Sequence, residues 1–254
     1  MKAKKSILML RGKNYNCDRE IHELQHEYAD VIMGTKFIDH FRNTATFKAF
    51  VIIMIQFFFF QVTGINAVLF YTTSIFIESG IQLEPAIATI IVGLVQVMGT
   101  VFATFLVDRL GRKILLGFST TLMFLSLSGI GMFFTIKDSG ESVENLGWLP
   151  VISLSTFVIG FSTGMGPISY VLLGELFSSS AKTAIAPIGQ VLNSILTFIV
   201  GLIFPLLTQS IGIGPTFFIF AAFAALAVLF TIFVIPETKG KSFTEIQSIL
   251  NRIK

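Results

Sequence analysis

The stretch from Phe50 to Ile77, FVIIMIQFFFFQVTGINAVLFYTTSIFI, decides the fold. It holds no Asp, Glu, Lys, Arg or His, and it exceeds the ~20 residues that cover a hydrocarbon core of ~30 Å at 1.5 Å per residue. Five further runs share these properties, at about 86–107, 114–136, 150–174, 185–209 and 216–235. Backbone groups cannot stay unpaired in lipid, so each run is a helix or a strand of a closed barrel. Barrel strands alternate strictly over about ten residues. These runs are longer and do not alternate, so the sequence predicts an all-α integral membrane protein with six transmembrane helices.

Composition agrees. Of 254 residues, 53% are hydrophobic and 13% charged, against roughly 25% charged in soluble domains. Phe is abundant, at 28 residues, which suits packing in lipid but identifies no chemistry. Cys17 is the sole cysteine, so no intramolecular disulfide is possible. The start of the chain has lysines and a short apolar patch (Ile7 to Leu10) but neither the apolar core nor the cleavage site of a secretory signal. The apolar runs themselves would then serve as insertion signals.

The flanking segments are polar. Residues 1–48 include Asp18 to Tyr28, where Ile21, Leu24 and Tyr28 recur at helical spacing and predict an amphipathic surface helix. His22 and His26 are four apart, but two ligands do not make a zinc site, and a solvated face is the better reading. Residues 49–235 read as the membrane domain and 236–254 as a tail. Gly240-Lys241-Ser242 imitates the end of a phosphate loop, yet Ile235 stands where the loop needs glycine and no strand precedes it. No dinucleotide fingerprint or nucleophile elbow is present. No enzymatic chemistry and no cofactor are implied.

Of the 18 Lys and Arg residues, 17 fall in residues 1–48, in the loops after the second and fourth runs, and in the tail; the other is Lys137. Glu78, Glu84, Asp138, Glu141 and Glu144 occupy the opposite loops. Basic residues mark the cytoplasmic side, so both termini are predicted there. The same split removes the nucleic-acid reading of a net charge of +3.

Polar residues within the runs narrow the function. Gln61 and Asn66 flank Gly64, and Gln96 and Asn193 lie on two other runs. Amides in lipid are costly unless partnered. One alone would suggest a bond between helices. Four on three helices suit a cavity for a neutral, hydroxyl-rich ligand, because an amide both donates and accepts as a hydroxyl does. An ion path would more often show buried carboxylates. In the fourth run, Gly160 and Gly164 fit a small-residue packing face. Gly164-Met165-Gly166-Pro167 equally fits a helix break of the kind found at transporter binding sites.

Four motifs in order carry a family resemblance. Gln61-Val62-Thr63-Gly64-Ile65-Asn66-Ala67 resembles the seventh helix of facilitative sugar transporters. Asp108-Arg109-Leu110-Gly111-Arg112-Lys113 resembles the signature loop of the major facilitator superfamily. Gly164 to Pro167 with Gly174-Glu175-Leu176-Phe177 resembles the tenth helix, and Pro236-Glu237-Thr238-Lys239-Gly240 the tail motif. The chain is most similar to the trehalose and glucose transporter branch.

The resemblance implies that Gln61, Asn66, Gln96 and Asn193 bind sugar hydroxyls. Tyr170 stands where the family has a tryptophan beside the sugar. Gly64, Tyr71, Gly164, Gly166 and Pro167 are implied in gating. Asp108, Arg109, Arg112, Lys113, Glu175 and Lys182 are implied in a cytoplasmic charge network. Departures alter the sugar contacts: Phe60 and Phe70 replace polar residues, Ser169-Tyr170 replaces Pro-Trp, Lys182 replaces arginine, and Ser194 and Thr197 replace tryptophan and asparagine.

Family members have twelve spans in two halves, and these six match the second half. The expectation is a fragment or C-terminal half of a plasma-membrane sugar porter, carrying a hexose or trehalose-like disaccharide with an N-terminal six-helix half or a full-length porter as partner. The rival expectations are a truncated, non-transporting interaction protein and a sugar sensor.

Overall fold

The computed structural model describes residues 44–80 and 84–252; the expected helix at Asp18–Tyr28, with Cys17, His22 and His26 near it, lies outside them. The described residues form helices and turns with no strand. The helices are α1 (Thr44–Val62), α2 (Ile65–Ser79), α3 (Pro85–Leu110), α4 (Arg112–Asp138), α5 (Leu149–Gly160), α6 (Gly166–Glu175), α7 (Ser179–Ile211), α8 (Ile213–Phe233) and α9 (Phe243–Arg252). A wide π turn, Phe161–Met165, joins α5 to α6, and a short 3-10 turn spans Glu144–Leu146. Six segments are long and apolar enough to cross a membrane, α1–α2 and α5–α6 each counting as one.

The segments alternate in direction. The α3–α4 turn, the end of α6 and the tail share one end, here called the latch end. The turns after α2, α4 and α7 share the far end. Pro85 and Pro150 lie in first turns, where the missing N–H has no helical partner to lose, whereas Pro187 and Pro205 lie inside α7. Many hydroxyls in the spans are satisfied locally, as Thr72 donates to the Val68 carbonyl, Thr120 to Leu116 and Thr231 to Ala227. Such residues need no cavity.

Helix α4 is the central post. On one side it meets α8 so closely that a Cβ on Gly214 would lie 3.1 Å from the Gly131 carbonyl oxygen, and one on Gly131 would lie 3.3 Å from that of Gly214. On its other side Ser119 and Leu115 pack against Gly160 and Gly164. Small residues let helix backbones approach, which is how helices associate where lipid removes the hydrophobic drive. Phe57, Phe76, Phe133, Phe134, Phe157 and Phe217 fill the interior. Phe134 and Phe217 stack with ring centroids 6.4 Å apart. Helices α3 and α7 are peripheral, most of their apolar side chains lying exposed.

The expected break at Gly164–Pro167 is instead the π turn, and the helix continues through it. Gly166 N–H donates to the Phe161 carbonyl, one residue beyond α-helical spacing. Ser119 of α4 staples the turn: its hydroxyl donates to the Gly160 carbonyl (2.6 Å) and accepts from the Met165 N–H (2.9 Å). The real break is in the first run. Gly64 takes φ 86°, a left-handed conformation that glycine adopts without strain, and separates α1 from α2. A Cβ there would also lie 2.7 Å from Phe220 Cδ2.

Candidate functional site

The break at Gly64 makes the first polar site. In a continuous helix, residues five apart do not face one another. Here Asn66 Nδ2 donates to Gln61 Oε1 at 2.6 Å. Gln61 Nε2 then reaches α7, donating to Asn193 Oδ1 (2.7 Å) and Thr197 Oγ1 (2.8 Å). Asn66 Nδ2 also lies 3.3 Å from Thr197 Oγ1. Asn193 Nδ2 donates to the Tyr170 hydroxyl of α6 at 3.5 Å, and that hydroxyl donates to Gln190 Oε1 at 3.5 Å. Both are long contacts that a competing hydroxyl would readily displace. The Tyr170 ring meets Phe57 edge-on at 5.5 Å and is 44% exposed, whereas Gln61 is buried.

The structure therefore unites Gln61, Asn66, Asn193 and Tyr170 across α1, α2, α6 and α7. It does not bring in Gln96. That side chain sits half-buried on α3 and makes no hydrogen bond among the described residues; its carbonyl accepts from Thr100. Two further members emerge, Thr197 and Gln190. Gln56 is separate: it is buried and donates to Ser169 Oγ (3.0 Å), an ordinary bond between helices.

The gating candidates divide. Tyr71 donates its hydroxyl to the Gly201 carbonyl at 3.0 Å and rests against Phe204, linking α2 to α7. Gly164 is held tightly: a Cβ there would lie 2.3 Å from Ser119 Cβ and 2.7 Å from the Leu115 carbonyl oxygen. Gly166 and Pro167 shape the π turn.

The second polar site is at the latch end. Arg112 at the start of α4 pairs with Glu175 at the end of α6, Nη2 to Oε1 being 2.9 Å and Nε to the same oxygen 3.2 Å. Its Nη1 donates to the Val107 carbonyl at 3.1 Å. Thr238 of the tail donates to the other oxygen of Glu175. Beside this pair, Glu237 accepts the backbone N–H groups of Arg112 (3.0 Å), Lys113 (3.1 Å) and Lys239 (2.9 Å). A carboxylate is favoured at a helix N-terminus, where unpaired N–H groups point outward. Burial pushes the Glu237 carboxyl up, but backbone donors from Lys239, Arg112, Lys113 and Thr238 outweigh it and hold it below the usual carboxylate range. Lys239 Nζ donates to the Arg109 carbonyl at 2.6 Å.

Of the implied network, Arg112 and Glu175 form the ion pair and Lys113 enters through its backbone. Arg109 contributes its carbonyl, its side chain being exposed. Lys182 is exposed and makes no ion pair among the described residues; its ammonium lies 3.3 Å from a Cβ placed on Gly174. The side chain of Asp108 lies outside the described residues. Glu237 was visible only as part of the tail motif, and nothing in its local sequence points to the α4 terminus 124 positions away.

A break that pairs two amides, and a carboxylate-bound arginine at the latch end, can be set against known proteins. The family model described as "Sugar (and other) transporter" matches residues 1–250. The chain belongs to this sugar transporter family. It is 38% identical over 256 residues to the facilitated trehalose transporter Tret1 of Polypedilum vanderplanki, covering 100% of this chain and 51% of that one. Tret1 of Bombyx mori is 39% identical over 247 residues, covering 96% and 49%. A crystal structure of a double-tryptophan mutant of XylE superposes with a TM-score of 0.81 at 25% identity, covering 98% of this chain and 51% of that one. The inward-open xylose transporter XylE of E. coli gives 0.70 at 24% identity. The chain spans about half the length of these relatives. As a sugar transporter family member it is a multi-pass membrane protein, and its six helices are one half of a major-facilitator fold.

Proposed function

We propose that the chain forms one wall of a sugar pathway and carries a hexose or trehalose-like disaccharide by facilitative alternating access when a second six-helix wall faces it. The observation that carries this reading is the neutral chain Asn66–Gln61–Asn193, with Thr197 within reach of both Asn66 and Gln61. It contains no charged group. Its members bond one another, so a hydroxyl-rich ligand exchanges one set of hydrogen bonds for another of equal kind. The likeness to relatives named for trehalose supports the substrate class.

A carrier exposes its site to one side at a time, which takes two walls that rock. The largely exposed apolar faces of α3 and α7, for example Leu94, Phe102, Phe198 and Leu202, suit contact with that second wall or with lipid. We place both termini and the latch end in the cytoplasm of a plasma-membrane protein, on the distribution of Lys and Arg.

The test is uptake of labelled trehalose and glucose by proteoliposomes holding the chain with an N-terminal six-helix half. Saturable, stereospecific uptake is expected. Asn66→Ala and Gln61→Ala should each reduce it by up to about tenfold, the worth of one neutral hydrogen bond. Unchanged kinetics in both variants at normal expression would reduce the amides to packing groups. For orientation, Ser139→Cys in intact cells should react with an impermeant thiol reagent, and labelling only after permeabilisation would invert the topology.

A further inference from the structure

The amide cluster does not account for a cavity at the far end of the bundle. A space of about 480 Å³ opens at the far end between α2, α4, α7 and the start of α8. This falls within the ~300–1,000 Å³ typical of small-molecule sites. Its lining includes Tyr71, Phe134 and Phe204. Its polar groups include Ser74, Gln209, Glu78 and Asp138. Among the described residues the side chains of Ser74 and Gln209 make no hydrogen bond, and Glu78 and Asp138 make no ion pair. One cation, Lys137, also lines the cavity; its ammonium donates to the Glu78 carbonyl at the C-terminus of α2, where the helix dipole favours a positive charge, and two carboxylates outnumber it.

We infer that this cavity is a second saccharide site, in series with the amide cluster along the seam between α2 and α7; the inference rests on the sugar reading proposed above. A sugar ring has an apolar C–H face and a rim of hydroxyls. An aromatic lining with carboxylate, amide and hydroxyl groups matches both. Carboxylates accept from hydroxyls strongly. With two carboxylates against one ammonium the lining is net negative, which disfavours a phosphate or other anion and decides for a neutral polyol. The seam supplies the connection. Along α7, Asn193 and Thr197 belong to the amide cluster, Gly201 comes one turn later, and Phe204 then lines the cavity. Tyr71 stands between the sites: its ring lines the cavity and its hydroxyl is bonded to the Gly201 carbonyl. A sugar leaving the cavity toward the cluster would pass Tyr71, whose single hydrogen bond to α7 has to open.

The experiment is photolabelling of the whole chain, paired with an N-terminal six-helix half in lipid nanodiscs, with a diazirine-bearing glucoside, adducts being located by mass spectrometry with and without excess glucose. Two glucose-suppressible groups of adducts are expected, one around Gln61–Asn66 and Asn193, the other within 71–78 and 204–209. Ser74→Trp, which fills the cavity from an exposed position, should abolish or sharply lower the second group and spare the first. Gln209→Leu, checked for monodisperse elution, should weaken the second group without filling the space. Asn66→Ala should do the reverse of Ser74→Trp. Suppressible adducts at the amide cluster alone, or cavity adducts that glucose does not suppress, would overturn the second site and leave the sugar reading standing. No suppressible adduct anywhere would overturn the sugar reading itself, and this inference with it.

Discussion

The two polar networks of this bundle are built on opposite terms. The amide cluster between α1, α2, α6 and α7 is neutral, and its donors and acceptors are the same chemical groups a sugar would bring. The latch between α4, α6 and the tail is ionic, and its carboxylates are occupied by an arginine, a hydroxyl and the free N–H groups of a helix end. Exchange in the first costs little, because each bond lost is replaced in kind. Exchange in the second strands a charge. One network is suited to trading partners with a passing ligand and the other to holding three elements in one arrangement.

The comparison breaks first at the latch. Glu175→Ala takes the carboxylate from the Arg112 guanidinium and the Thr238 hydroxyl, and hydrogen bonds to charged groups are worth about 1.5–3 kcal/mol. A loss of about 2–3 kcal/mol in stability is expected, read as a fall in unfolding temperature in detergent. An unfolding temperature equal to the unaltered chain would mean that the pair is solvated and holds nothing. At the amide cluster the loss should be smaller and ligand-dependent. Thr197→Val removes a hydroxyl that can accept from both Gln61 and Asn66, costing about 0.5–1.5 kcal/mol. Trehalose, added with the second half present, should then raise the unfolding temperature less than it does for the unaltered chain. An equal rise in both would place the sugar elsewhere.

The smallest effect is local and comes from pH. The Glu237 carboxyl is held below the usual range by backbone donors, despite burial. Its contribution is therefore present in full above the unfolded value and is lost as pH falls through the folded one. Hydrogen exchange at the Arg112 and Lys113 amides, corrected for its intrinsic pH dependence, should accelerate in that acid window. The Gln61–Asn66 segment, which has no titratable group, should not respond. A shared response would show that the two networks are coupled through the bundle.

How much of this was legible in the sequence differs by network. The six helices follow from the apolar runs alone, since lipid leaves an uncharged run of that length little choice. The pairing of Gln61 with Asn66 was half visible, because a glycine between two amides permits the turn that joins them. Gln96 shows the limit: residue type suggested the cluster, but the rotation of α3 turns the side chain elsewhere, and rotation is set by packing. Thr197 stood out only as a departure from the family pattern, yet its hydroxyl is shared by two amides. Of the two readings of the fourth run, the packing face of Gly160 and Gly164 is what meets α4, while the break suggested by Pro167 is a π turn whose remedy was not visible. Ser119 lies 46 positions from the N–H it accepts, and only packing brings it there. Glu237 was hidden in the same way, since its donors belong to a helix end far off in the chain.

The π turn has a further consequence, one of phase. At 3.6 residues per turn, each residue advances a helix by about 100°. A π turn holds one residue more than the α-helical path, so everything after Met165 is rotated relative to what a regular helix would present. Tyr170 reaches Asn193, and Glu175 reaches Arg112, in that shifted frame. Deleting one residue from Phe161–Met165 would restore the α-helical path and carry both side chains about a quarter-turn away from their partners. The turn is thus a register setting: a single inserted residue, stapled by Ser119, decides that one helix serves the amide cluster along its length and the latch at its end.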